Sequence, residues 1–131
     1  MSQENVELVR QSEEALLRGD RTTWLAIHDE DFELVPDREW PEGPVRGREA
    51  AWDRNMTIRD SFEWVPIESE RVDAGADKVL VHPRYALRGA GSGVPVEHDL
   101  WLVATVRQGK ILRVQWFADR AAAFEAAGLS E

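Results

Sequence analysis

The 131-residue sequence contains no cysteine. Disulfides, thiolate metal sites and cysteine nucleophiles are excluded together. Lysine is almost absent: Lys78 and Lys110 stand alone, so the basic residues are mostly arginine, a usage that goes with GC-rich bacterial coding. Positive charge is itself in deficit, with 16 basic against 25 acidic residues and a formal net charge of −9. Such a field repels phosphate backbones and anionic lipid, so neither nucleic acid nor a membrane is an expected partner. No long apolar run occurs, and no basic leader precedes one, so the expected location is cytoplasmic. Histidine is scarce as well. His28, His82 and His98 show no metal-ligand spacing, and no metal or other cofactor is expected.

What is present fits one soluble domain spanning residues 1–131, at 43% hydrophobic and 31% charged residues. A first helix is expected from about Gln3 to Arg18, stopped by Gly19 and followed by Asp20 as a fresh N-cap. "RTTWLAIH" reads as a second short helix and "DFELVP" as a strand ended by Pro36. "DREWPEGPVRG" reads as a loop, and a third helix follows over about Arg48 to Arg59. The period then changes to that of strands in "SFEWVPIESERVD", "DKVLVHPRYALRG", "VPVEHDLWLVATVR" and "GKILRVQWFAD". "DAGAD" and "RQGK" are turns that make antiparallel hairpins of their neighbours. Asp119 caps a last helix, "RAAAFEAA", that Gly128 ends. Helices first and a strand meander afterwards give an α+β fold. Its three N-terminal helices lie on the concave face of a curved antiparallel sheet, with a short C-terminal helix besides.

Within helix 1, Val6, Leu8, Val9, Ala15, Leu16 and Leu17 fall in one arc, and Glu13 falls inside it between Val9 and Val6. Two placements fit this acid. It leans to the helix flank and pairs with Arg10 or Arg18, or it points into a pocket.

Strand parity adds a second candidate. Val96, His98, Leu100, Leu102, Ala104 and Val106 share one face, expected to be the concave one. Leu112, Val114 and Trp116 share a face in the last strand. His98 is then either a satisfied core or interface histidine or a proton-transfer partner. Glu13 and His98 in one pocket would form an acid/base pair titrating near neutrality. The opposite face, with Trp101, Val103 and Phe117, is the surface expected to meet a second copy in a homodimer. The face of His82 stays open, because Pro83 beside it invites a bulge.

Six tryptophans are many for this length: Trp24, Trp40, Trp52, Trp64, Trp101 and Trp116. Most are expected in the core or an interface. Trp40 differs, lying in the proline-rich loop that would border a pocket mouth. An apolar, aromatic-lined cavity with Trp24, Trp40, Leu100, Leu102, Val114 and Trp116 as ligand-binding residues suits a small, hydrophobic, ring-bearing molecule.

Three other signals are weaker. "GAGSG" at 89–93 precedes a strand and reads as a hairpin loop, not a dinucleotide site. "HDEDFE" at 28–33 lacks the glycine and distal glutamate of a calcium loop and reads as a solvated helix-to-strand junction. No Ser-His-Asp arrangement emerges from spacing.

The order of elements, with "MSQENVELVR", "LLRGD", "GPVRGREA", "VDAGADKVLV" and "GKILRVQWFADRAAAFEAAG", resembles the SnoaL-like branch of the nuclear transport factor 2-like, ketosteroid isomerase-like superfamily. The resemblance covers nearly the whole chain. It implies a cone-shaped α+β barrel, a deep pocket between helices and concave sheet, and usually a homodimer. Function does not follow from it, because the superfamily holds isomerases, cyclases, hydrolases and non-catalytic binding modules. Ketosteroid isomerases of this fold place a general base just before a proline at the end of the first strand, where this chain has Val35. SnoaL-type cyclases carry an aspartate near the end of the last strand, where this chain has Trp116. Many relatives hold a tyrosine at the helix 1 position of Glu13. Two functions therefore stand: a small-molecule-binding domain, or a cofactor-independent isomerase, cyclase or hydrolase using Glu13 and His98.

Overall fold

The computed structural model describes residues 2–38, 42–66, 69–75, 77–82, 84–89 and 95–129, with backbone alone at residue 2, 61–66, 84–89 and 95–99. Helix α1 spans Ser2–Arg18 and α2 spans Arg21–Ile27. Strands β1 (His28–Val35) and β2 (Val45–Arg46) precede α3 (Arg48–Ser61). Strands β3 (Phe62–Pro66), β4 (Glu70–Asp73), β5 (Lys78–His82), β6 (Arg84–Gly89), β7 (Pro95–Asp99), β8 (Trp101–Arg107) and β9 (Lys110–Phe117) follow, then α4 (Arg120–Ala127).

Local chemistry explains the helix ends. Gly19 takes φ 70°, and the N–H groups of Gly19 and Asp20 return to the carbonyls of Leu16 and Ala15, which closes α1. The Asp20 carboxylate then accepts from the Thr23 N–H and starts α2. The same pair of devices frames α4. Asp119 caps its start, and Gly128, at φ 80°, ends it with returns to Glu125 and Phe124.

Strands lie in two sheets, of orders β2-β1-β9-β8-β5-β4 and β3-β6-β7. The sheets share three runs of chain. Each of the three long strands expected between residues 61 and 107 has its described parts in different sheets: β3 and β4, β5 and β6, β7 and β8. Side-chain alternation in a sequence runs on through a change of sheet, so periodicity alone does not reveal it. The β4–β5 and β8–β9 hairpins are antiparallel as expected. β1, however, runs parallel to β9, so the six-stranded sheet is mixed, and it is open. The α+β cone architecture holds with that amendment.

Two apolar layers flank the large sheet. The main core joins Val9, Ala15, Trp24, Phe32, Trp52, Val79 and Val81 with their neighbours, and so places α1, α2 and α3 on the inner face. The second layer is made by α4, whose Ala123 and Ala127 pack on Leu80 and Val103 with Trp101, Phe117 and Phe124 around them. The face expected to meet a second copy is thus partly covered by the chain's own last helix. The segment 28–33 is also corrected. It belongs to β1, with His28 and Phe32 buried, and its outward acids pair across strands, Glu33 with Arg46 and Arg113 and Asp29 with Arg107. Alternation of buried and charged residues hid a strand inside an acidic run.

Candidate functional site

Glu13 lies on the inner side of α1 with its side chain 13% exposed, and it meets Arg71 of β4, itself 22% exposed. Arg71 Nε donates to Glu13 Oε2. The expected flank partners are engaged elsewhere: Arg10 with Glu7 and Glu14, Arg18 with Glu14 and Asp20. Glu13 Oε1 is buried and has no hydrogen-bond partner among the described residues. Burial pushes the carboxyl above its ordinary value, and the Arg71 charge beside it opposes that shift.

Strand register continues this pair into an apolar floor. Arg71 pairs with Val81, Val81 with Leu102 and Leu102 with Trp116. Directly paired residues share a face, so these four form one row on the inner side of the sheet. At a strand spacing of about 4.8 Å the row is about 14 Å long, with an ion pair at one end and an indole at the other. Val81 is 1% exposed, whereas Leu102, Trp116 and, in the next row, Val114 keep partial exposure while packing on the main core. Leu112 does not share this role. The register shifts between Thr105 and Val106, so Ile111 pairs with Val106 and takes the buried position.

A second polar group is buried in the same layer. The His28 ring is stacked on Trp24 at 3.7 Å between centroids and is 1% exposed. Its Nδ1–H donates to the Trp24 carbonyl at 2.7 Å, since a carbonyl only accepts. Nε2 therefore accepts from the Ser12 hydroxyl at 3.2 Å. Burial pushes the imidazole down to about 4, with the Trp24 carbonyl opposing and Arg48 reinforcing that shift. His28 is a neutral, satisfied core histidine that ties α1 to α2 immediately beside Glu13.

The other predicted residues are dispersed. Trp24 is 2% exposed and packs on His28, Phe32 and Trp52, behind the row. Leu100 is partly exposed in the break between β7 and β8. His98 belongs to β7, opposite Tyr85 in the three-stranded sheet, so it does not share a continuous strand with Leu102. The His98 side chain and all of Trp40 lie outside the described residues. Among the described residues no group of His, Asp or Glu is gathered that could hold a metal ion, and no helix is long and apolar enough to cross a membrane. A shallow, open depression of about 350 Å³ along α1, lined by Gln3, Glu4, Glu7, Leu8 and Gln11, includes none of the predicted site residues.

The family model for the SnoaL-like domain matches residues 9–114, most of the chain. This chain belongs to the SnoaL-like family. No curated protein matches it. Among solved structures, it is similar to an NTF2-like protein from Burkholderia xenovorans, at 29% identity and TM-score 0.79 over 97% of this chain and 98% of that one. A candidate SnoaL-like polyketide cyclase from Mesorhizobium loti shares the fold at 20% identity and TM-score 0.69, covering 85% and 96% of the two chains. So does a protein of ketosteroid isomerase-like fold from Catenulispora acidiphila, solved in complex with trimethylamine, at 16% identity and TM-score 0.68 over 95% and 94%.

The two positions at which the sequence resemblance pointed to a base hold apolar residues in this SnoaL-like domain. Val35 ends β1, and Trp116 ends the inner row. Arg71 was missed by sequence reasoning. In "SERVD" the apolar Val72 is the residue that alternation would turn inward, yet Val72 is exposed and Arg71 lies inward, and nothing in the sequence joined Arg71 to Glu13, 58 positions away. Arg48 and Arg59 were missed likewise. They donate to the last carbonyls of α2 and α1, and so fix the helices that carry the site.

Proposed function

We propose that this SnoaL-like domain binds a small hydrophobic molecule between α1 and the inner face of the large sheet, with Glu13 as its polar anchor. The observation that carries this reading is the buried Oε1 of Glu13, without a hydrogen-bond partner among the described residues, at the head of the Val81–Leu102–Trp116 row. A buried acceptor without a donor is costly, and a ligand hydroxyl or N–H relieves that cost. The partly exposed Leu102, Val114 and Trp116 supply an apolar bed for a ring. Backbone NMR with a set of mono- and bicyclic aromatic compounds tests it. Shifts at Leu102, Val114 and Trp116, weakened about tenfold in Glu13→Gln, are expected. Shifts confined to the α1 depression, or none, refute the reading.

The raised proton affinity of Glu13 favours a second reading on the same residue, cofactor-independent acid/base chemistry in an isomerase, cyclase or hydrolase. Glu13 would move the proton, and His98 would assist from β7. Retained turnover of an identified ligand in Glu13→Gln would exclude it.

A further inference from the structure

The Glu13–Arg71 pair carries information about the charge of what it binds. This inference rests on the reading of Glu13 as an anchor. The carboxylate and the guanidinium are both largely buried and in direct contact, so their charges compensate each other within the site. One oxygen is occupied by Arg71, and one is left as a lone acceptor with no polar partner among the described residues. An incoming ammonium would find its carboxylate already neutralised and a guanidinium within a few ångströms. Its desolvation would not be repaid. An incoming carboxylate would add a second anion beside Glu13, where the Arg71 charge is already engaged. A neutral O–H or N–H satisfies the acceptor at no charge penalty, and a hydrogen bond to an ionised group is among the stronger kinds. In the rest of the row Val81 is covered by the core, and the partly exposed Leu102 and Trp116 are apolar apart from one indole N–H.

We propose that the site selects a neutral, ring-bearing molecule with one hydroxyl or N–H donor, of the phenol or enol class, against amine cations and carboxylates of the same shape. The geometry assigns Arg71 as the specificity residue. It does so by cancelling the anchor's charge, without needing to touch the ligand.

Four probes of matched shape test this at pH 7: 4-methylphenol, toluene, 4-methylbenzylammonium and 4-methylbenzoate, titrated by backbone NMR against the wild-type protein. 4-Methylphenol is expected to bind about tenfold or more tighter than each of the others. In Arg71→Met, checked for folding by circular dichroism, the order is expected to invert, with 4-methylbenzylammonium tightest. In Glu13→Gln, the advantage of 4-methylphenol over toluene is expected to shrink while toluene binding stays. Equal binding of phenol and toluene in the wild type overturns the inference but leaves an apolar pocket standing. Preference for the cation or the anion in the wild type overturns it as well. Failure of all four to shift Leu102, Val114 or Trp116 sinks the pocket itself, and the selectivity with it. The wild-type series decides the matter even where Arg71→Met does not fold.

Discussion

Glu13 of α1 and Arg71 of β4 form a largely buried ion pair that joins the first helix to the edge of the large sheet. The pair places a charge and its counter-charge where an apolar stripe would otherwise meet an apolar floor.

Removing one partner leaves the other buried without compensation. Arg71→Met is expected to destabilise the protein by about 2–4 kcal/mol at pH 7, somewhat below a fully buried pair because both side chains keep some exposure. Adding Glu13→Gln should recover much of that loss. Urea unfolding of the two single variants and the double variant measures the coupling. Strict additivity would mean that the pair contributes nothing.

His28 makes stability fall in acid. Its folded value, about 4, lies below the ordinary 6.5, so the unfolded chain takes up the proton first. Stability from this group is complete above pH 6.5 and is lost as pH falls towards 4, by up to about 3 kcal/mol. His28→Gln should flatten that slope relative to the wild type. Glu13 works with the opposite sign, since its raised value favours the folded state on protonation. Parallel pH profiles of wild type and His28→Gln would dissociate acid sensitivity from this ring.

The β8–β9 turn offers a stabilising change. Gln108 and Gly109 both take positive φ, 52° and 75°, as a two-residue hairpin turn of the primed type requires. Asparagine tolerates that conformation better than glutamine. Gln108→Asn is expected to raise the unfolding free energy by about 0.5 kcal/mol. An unchanged or lower denaturation midpoint would show that Gln108 makes a compensating contact.

Association through the outer sheet face remains a proposal. Light scattering at micromolar concentration is expected to give twice the 14.9 kDa chain mass. Val72, 47% exposed on the edge strand beside the α4 layer, is where Val72→Lys should weaken it. A monomer mass for the wild type contradicts the dimer.

Much of the fold was legible because it is local. Gly19 with Asp20, Asp119 with Gly128, and the RQGK turn each specify their own few residues, and the structure has them all. The alternation that put Leu102, Val114 and Trp116 inward was legible for the same reason. What escaped depends on long-range pairing. The division of "VPVEHDLWLVATVR" at Leu100 separates His98 from the row that parity gave it, and only the sheet topology shows this. The partner of Glu13 was hidden likewise, for no local rule connects α1 to β4. Glu13 itself stood out because an acid inside an apolar arc needs a reason.

The parallel pairing of β1 with β9 also governs when the protein can fold. β9 lies between β1 and β8, so the last of the described strands is an inner strand of the large sheet. Until residues 110–117 have left the ribosome, β1 lacks its inner neighbour and the stripes of the first helices lack part of their floor. The N-terminal half therefore waits, apolar side exposed, for β9. Folding of this domain is gated by β9, the strand that closes the gap between β1 and β8.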